Sequence, residues 1–200
     1  MATRQAISDA ATRLFFERGF DRVTIEEIAA AADVGRMTVF NHFPRKEDMF
    51  FDREQEIRDV AFDALKVRAA DIGPIEALGM LAHRLIEQPH PSFPLFQDTH
   101  RFVETALASE ALKARAREMR DDFVGALAAT FADAVDRPRD DPDAYLAAGL
   151  IASTWSIAFT QAHSVFARCG DAAEAKRTFL TLIDRGVTGT RAALSGTAYV

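Results

Sequence analysis

Residues 24 to 46, TIEEIAAAADVGRMTVFNHFPRK, carry two short runs of apolar residues at helical spacing, separated by a polar turn. Ile25, Ile28, Ala29 and Ala32 form the first stripe, and Val34, Val39 and Phe43 continue it beyond the turn. Thr24 followed by Glu27 is a T-x-x-E capping box, which marks the start of the first helix. Asp33 stands where the turn needs a left-handed backbone, a conformation that Asp tolerates better than most residues with a side chain. Two helices meeting at a tight turn around one small core are expected, the second over about Gly35 to His42.

The same periodicity runs through the rest of the chain. A first helix is expected from Arg4 to Arg18, capped by Thr3, striped by Ile7, Ala10, Ala11, Leu14 and Phe15, and stopped by Gly19. After Pro44 one long helix carrying Met49, Phe50, Ile57, Val60, Ala61, Ala64 and Leu65 is expected to reach about Ala70. Asp71 to Pro74 is a break, with Gly73 as a C-terminal cap for the helix before it and Pro74 opening a helix to about Gln88. Pro89, Pro91 and Pro94 make an irregular connection, and helical spacing resumes from Leu95 to Ala108. Ser109 caps a further helix bearing Leu112, Met119, Phe123, Leu127 and Phe131, with Arg115, Arg117 and Arg120 as solvated charge on its other face. Asp143 to Arg168 is the most apolar helix, with Leu146, Leu150 and Ile157 on one side and Ile151, Trp155, Phe159 and Phe166 on the other. A helix apolar around most of its circumference is buried on most sides. Gly170 ends it, Asp171 with Glu174 caps a last helix bearing Phe179, Leu180, Leu182, Ile183 and Val187, and the tail after Ser195 is expected to fray. No strand pattern or repeat competes, so the fold class is all-α: an N-terminal three-helix helix-turn-helix domain over residues 1–48 (motif about 24–43) and a C-terminal helical bundle over 49–200, about nine helices.

Composition narrows this picture. With 48% hydrophobic and 27% charged residues the chain is globular, and no apolar run approaches the roughly 20 residues of a membrane span. Without a secretory signal in the charged, amphipathic first 20 residues, a cytoplasmic location is expected. The single Cys169 excludes an internal disulfide and a cysteine-rich zinc site. The net charge of -6 excludes a generally basic nucleic-acid binder, and residues 1–50 hold seven Arg or Lys against eight Asp or Glu. Positive charge is instead local. From Val34 to Lys46 stand Arg36, Arg45 and Lys46, with His42 and no acid. Phosphate is the natural partner of such a segment.

The second helix of the motif leaves Arg36, Met37, Thr38, Phe40, Asn41 and His42 without a claim on the core. Arg pairs with guanine, Asn with adenine, Thr bonds phosphate or packs on a thymine methyl, and Lys46 neutralises phosphate. A solvated hairpin in a larger bundle would not need this mixture. One such helix spans too few base pairs for a unique address, so a two-fold dimer on a palindromic site is expected.

The stretch Ile7-x-x-Ala10-Ala11-x-x-Leu14-Phe15, Gly19-Phe20-x-x-x-Thr24, Ile28-Ala29, Val34, Thr38, His42-Phe43-Pro44 and Lys46-Glu47 resembles the TetR family of bacterial regulators over the first quarter of the chain. Four positions depart: Asp33 for the usual turn Gly, Gly35 for a capping Ser, Met37 for a Gly in the reading helix, and Phe40 for a Tyr. The first two exchange turn chemistry at little cost. The last two alter the recognition surface, because a bulky side chain replaces none and a phosphate-bonding hydroxyl is lost. The resemblance implies that Thr38, Phe40, His42 and Lys46 contact the DNA backbone and that Arg36, Met37 and Asn41 vary with the operator, and Thr24, which opens the motif, is counted with them as a DNA-binding candidate. It also implies a homodimer sealed by the last two helices, for which Leu146, Leu150, Ile157, Leu180, Ile183 and Val187 are the candidates here. A repressor relieved by a small molecule in the C-terminal bundle is implied too, with His83, Phe96, His100, Met119, Phe123, Trp155 and Phe159 as candidate lining for a lipophilic effector.

Such an aromatic set suits an ordinary core nearly as well. His83, Glu87 and His90 form no paired metal motif, and Cys169 with His163 lacks an orienting group or oxyanion site, so neither metal, cofactor nor catalysis is expected. The rival from another class is an interaction protein whose modified reading helix, with Met37 and Phe40, docks a protein partner.

Overall fold

A computed structural model describes residues 2–88 and 99–200. The described residues form ten α-helices and one 3-10 turn, with no strand among them: α1 (Ala2–Arg18), the 3-10 turn (Phe20–Arg22), α2 (Ile25–Ala31), α3 (Arg36–His42), α4 (Lys46–Phe50), α5 (Glu54–Lys66), α6 (Pro74–Glu87), α7 (His100–Ala108), α8 (Glu110–Ala134), α9 (Pro142–Cys169) and α10 (Ala172–Ala193). The expected connection from Gln88 to Pro94, and with it Phe96, lies almost wholly outside the described residues. No described helix is long and apolar enough to cross a membrane.

Local chemistry sets most of the helix ends. Gly19 (φ 83°) and Gly170 (φ 67°) take the positive φ that stops α1 and α9, and Asp33 takes φ 54° in the turn before α3. Asp171 caps α10 by accepting from the Ala173 and Glu174 amides, and Ser109 Oγ accepts from Leu112 N at the start of α8. Thr3 lies inside α1 rather than capping it. Gly73 caps the start of α6 and not the end of the helix before it, which stops at Lys66.

The long helix expected after Pro44 is two helices, broken at residues 51–53. The break lets consecutive phenylalanines share one neighbour: Phe50 stacks on Phe102 at 4.4 Å and Phe51 meets the same ring edge-on at 5.9 Å. In a continuous helix Phe51 would point about 100° away from Phe50.

Two compact units result, Met1–Gln55 with Arg101–Arg117 and Glu56–His100 with Glu118–Val200. They divide the chain differently from a cut at residue 48. The first unit packs Ile7, Phe15, Phe20, Ile28, Val39, Phe43, Met49 and Phe50 with Leu112 of α8. Polar contacts tie its distant segment in: Ser109 Oγ donates to Asp21 at 2.7 Å, and Arg115 pairs with Asp48 at 3.1 Å.

The second unit holds two apolar clusters. Leu65, Ile75, Leu78, Leu127, Phe131 and Ile151 lie in one, and Phe179, Ile183, Ala158 and Ala162 in the other. The tail after Ser195 does not fray: Tyr199 is 1% exposed and belongs to the first cluster. Among the buried polar groups, His163 bonds Phe159 O through Nδ1 at 2.9 Å, so that nitrogen carries the proton and Nε2 accepts from Thr99 Oγ1 at 2.6 Å. Burial foremost holds the His163 pKa below its ordinary value of 6.5, opposed by the bond to Phe159 O.

α9 and α10 cross closely because Gly186 has no side chain. A Cβ there would lie 2.8 Å from the Thr154 Cβ and closer still to its two branches. Gly186→Ala is expected to cost about 1–3 kcal/mol by overpacking, with part recovered by adding Thr154→Ala. Thermal or urea unfolding of the two variants checks this, and an unchanged Gly186→Ala protein would contradict the close crossing.

Candidate nucleic-acid interface

The helix-turn-helix is built from its caps inward. Thr24 Oγ1 accepts from Glu27 N at 3.2 Å, and the Glu27 carboxylate accepts from Thr24 N at 2.8 Å, closing the box that starts α2. These bonds, the backbone one foremost, hold the Glu27 pKa below 4.5, with Arg18 3.0 Å away as a further cause. The Thr24 hydroxyl is thus engaged in capping, on a side chain that stays exposed. Val34 N bonds Ala29 O at 3.0 Å across the turn. Gly35 then caps α3 with extended backbone and no side-chain bond.

α3 is seated by Val39 (0% exposed), with Phe43 (1%) immediately after it, and these two residues fix which face looks outward. Arg36, Met37, Asn41 and His42 are exposed, Met37 to 70%, while Thr38 and Phe40 are half-buried. A single helix thus presents a guanidinium, a thioether, an amide and an imidazole within two turns. The set offers donors and acceptors for base edges and one apolar group for a thymine methyl.

Three side chains are placed in ways the sequence did not indicate. Lys46 points into its own domain: Nζ donates to Val23 O at 2.7 Å and sits 4.2 Å from the centre of the Phe20 ring. Burial foremost lowers its pKa, opposed by Asp21, Glu47 and Glu27. Its ammonium braces α4 against the segment before α2 with one of its three N–H donors, and the side chain stays half-buried. Arg36 pairs with Glu26 at 3.0 Å and lies 5.4 Å from the Phe40 ring centre. Arg4 lies 4.1 Å from the centre of the Phe43 ring, at the other end of α3. The Glu26 pairing carries no signal in sequence spacing, since it depends on how α2 crosses α3, whereas Phe40 lies one turn from Arg36 on the same helix, a spacing the sequence does show.

The described effector candidates are spread over the second unit, with Phe123 and Trp155 packing on the first cluster and Trp155 and Phe159 on the second, while Phe96 lies outside the described residues. His83 is exposed and bonds Asp184 at 2.7 Å. Phe123 packs on Phe62 at 5.7 Å, whereas Trp155 meets Phe179 at 5.7 Å and Phe159 meets His163 at 4.2 Å in the second cluster. Met119 and His100 are half-buried on α8 and α7. None of them lines the open groove of about 280 Å³ between α5 and α6, which is bounded by Val60, Asp63, Ala64, Val67, Leu81, Arg84, Leu85 and Gln88. No group of three or more potential metal ligands occurs among the described residues.

The proposed dimer residues separate into two kinds. Leu146, Leu150 and Ile157 are 47%, 36% and 54% exposed along one face of α9. Ile183, by contrast, is 0% exposed in the protomer core, Leu180 is half-buried, and Val187 packs on Gly79 of α6. Ile183 is therefore a residue of the protomer core, because the face of α10 that carries it is turned toward α6 and α9, while Val187 on the same face is half-buried.

Residues 7–52 match the model of the bacterial regulatory proteins of the tetR family. Among curated proteins, the chain is 34% identical over 76 residues to the HTH-type transcriptional regulator TcmR of Streptomyces glaucescens, covering 38% of this chain and 34% of TcmR, about a third of that relative's length. It is 26% identical over 151 residues to the HTH-type transcriptional repressor KstR2 of Mycolicibacterium smegmatis, 70% of each chain. Among solved structures, FadR of Thermus thermophilus, a TetR-family transcriptional repressor in complex with lauroyl-CoA, superposes with a TM-score of 0.52 at 25% identity, over 92% of this chain and 94% of that one.

Proposed function

The chain belongs to the tetR family of bacterial regulatory proteins, and we propose that it acts in the cytoplasm as a homodimeric repressor of a palindromic operator in double-stranded DNA, relieved by a small lipophilic effector. The observation that carries the DNA reading is the outward face of α3, where Arg36, Met37, Asn41 and His42 stand clear of a core fixed by Val39 and Phe43. Arg36 and Asn41 read bases, and Met37 packs against a thymine methyl. Thr38 and His42 meet the phosphates on either side.

Two copies join through the exposed α9 face of Leu146, Leu150 and Ile157, which leaves large apolar side chains in water unless a second copy covers them. The effector has two supports. KstR2 and FadR are repressors by name, and FadR is described with an acyl-CoA. The groove between α5 and α6 has apolar walls with Asp63, Arg84 and Gln88 as polar handles. Release requires the effector to favour the weakly binding state by its own unequal affinity.

Arg36→Ala and Asn41→Ala are expected to cost about 1–3 kcal/mol each on the preferred site and to relax specificity at one position apiece. Titration of each variant on that site and on random DNA reads this. Equal loss on both DNAs would sink the assignment, and would favour instead a protein-docking surface centred on the exposed Met37.

A further inference from the structure

Arg36 is held on two sides by the motif's own residues. Its Nη1 lies 3.0 Å from Oε1 of Glu26, in the first turn of α2, and its Cζ lies 5.4 Å from the ring centre of Phe40, one turn along α3. Glu26 and Arg36 are both about 60% exposed, so the pair adds little to the stability of the fold. Its consequence is direction. A long guanidinium side chain otherwise loses much rotamer freedom when it binds.

Glu26 also carries a cost, since a carboxylate beside a reading helix repels every phosphate alike. An acid in the first turn of α2 is favoured by the helix dipole, but in DNA binding its cost is offset where it does something sequence-dependent. We propose that Glu26 and Phe40 form a clamp that presents Arg36 to a guanine in the major groove, Glu26 acting as a positioning residue that sets specificity. The inference rests on the DNA-binding reading above. Arginine has five N–H donors, so it can bond guanine O6 and N7 and keep its bond to Glu26. Opposite any other base the guanidinium loses the paired O6 and N7 acceptors, keeping at most one, or turns to a phosphate. In turning away it leaves the carboxylate in the groove without its cation, a penalty that falls on wrong sequences only. Phe40 fits this role without a hydroxyl, because a ring face beneath Arg36 needs no polar group to support a cation.

The test begins by selecting the preferred site with the wild-type chain. Affinities are then measured for that site, for the site with its Arg36-dependent guanine replaced, and for random DNA, using wild type, Glu26→Gln, Arg36→Ala and the double variant, with thermal melts to confirm folding. Wild type is expected to favour guanine by roughly 5- to 150-fold, the range of one bidentate contact. Glu26→Gln should bind random DNA more tightly yet lose at least about threefold of the guanine preference, with preferences elsewhere kept. In the Arg36→Ala background the same change should raise affinity for all DNAs equally, which is the coupling a double-mutant cycle isolates. If Glu26→Gln tightens every DNA by one factor and leaves the guanine preference intact, Glu26 is a solvated acid and the clamp is overturned. If wild type selects no site, or Arg36→Ala changes no position, the DNA reading itself fails and the clamp with it.

Discussion

Replacing Tyr199 with Ala is expected to lower the stability of the second unit by about 3–5 kcal/mol, the usual cost of removing a buried aromatic side chain. Tyr199 is 1% exposed in the cluster of Leu65, Ile75, Leu78 and Phe131, and its backbone carbonyl would lie 3.3 Å from a Cβ on Gly73, the cap of α6. Its hydroxyl donates to Asp141 Oδ2 at 2.9 Å, while Asp141 Oδ1 caps α9 by accepting from Asp143 N. One tail residue therefore touches the starts of two helices. Tyr199→Phe keeps the ring and loses only the hydrogen bond, for about 0.5–1.5 kcal/mol. Burial foremost, then the bond to Asp141, pushes the phenol pKa up to about 12. An acid whose folded pKa is raised stabilises the fold fully below its unfolded value, about 10, and loses that contribution as pH climbs through 12. Urea unfolding of both variants measures the two costs. A Tyr199→Ala protein within 1 kcal/mol of wild type would show the tail to be dispensable.

Leu150→Asp together with Ile157→Asp is expected to abolish the dimer and to weaken operator binding by about 10²- to 10⁴-fold, the gain that joining two heads on one molecule provides. Wild type should run at twice the 22.1 kDa chain mass by light scattering, and the double variant at that mass itself. Its circular dichroism should be unchanged, because both side chains already face water in the protomer. Ile183→Ala is the contrasting control: buried at 0% exposure, it should cost about 2–5 kcal/mol of folding stability. A double variant that stays dimeric would move the seam away from this face of α9.

The readable parts of this chain were those set by neighbours in sequence. The Thr24–Glu27 box, the left-handed Asp33 and the stops at Gly19 and Gly170 each depend on a few consecutive residues, and the structure has them all. Long-range packing was not readable in the same way. Nothing near Phe50 announces that Phe102 will stack on it, so the break between α4 and α5 and the membership of residues 101–117 in the first unit were both hidden. The candidate site divides along the same line. The exposed face of α3 follows from where Val39 and Phe43 must go, whereas the inward turn of Lys46 onto Val23 O and the Glu26–Arg36 pair depend on how separate segments meet. In the last two helices the apolar content was legible but its division was not: α9 turns Leu146, Leu150 and Ile157 outward, while α10 turns Ile183 and Val187 inward.

The measurement that bears most directly on the central claim is selection of bound sequences from a random pool of double-stranded DNA by the full chain. A homodimer with one reading helix per subunit should enrich a palindrome whose half-sites lie about one helical turn, or a multiple of it, apart. Within each half-site, one guanine position should disappear from the enriched set when Arg36→Ala is used. Recovery of no preferred sequence, or of a site without two-fold symmetry, would contradict the account.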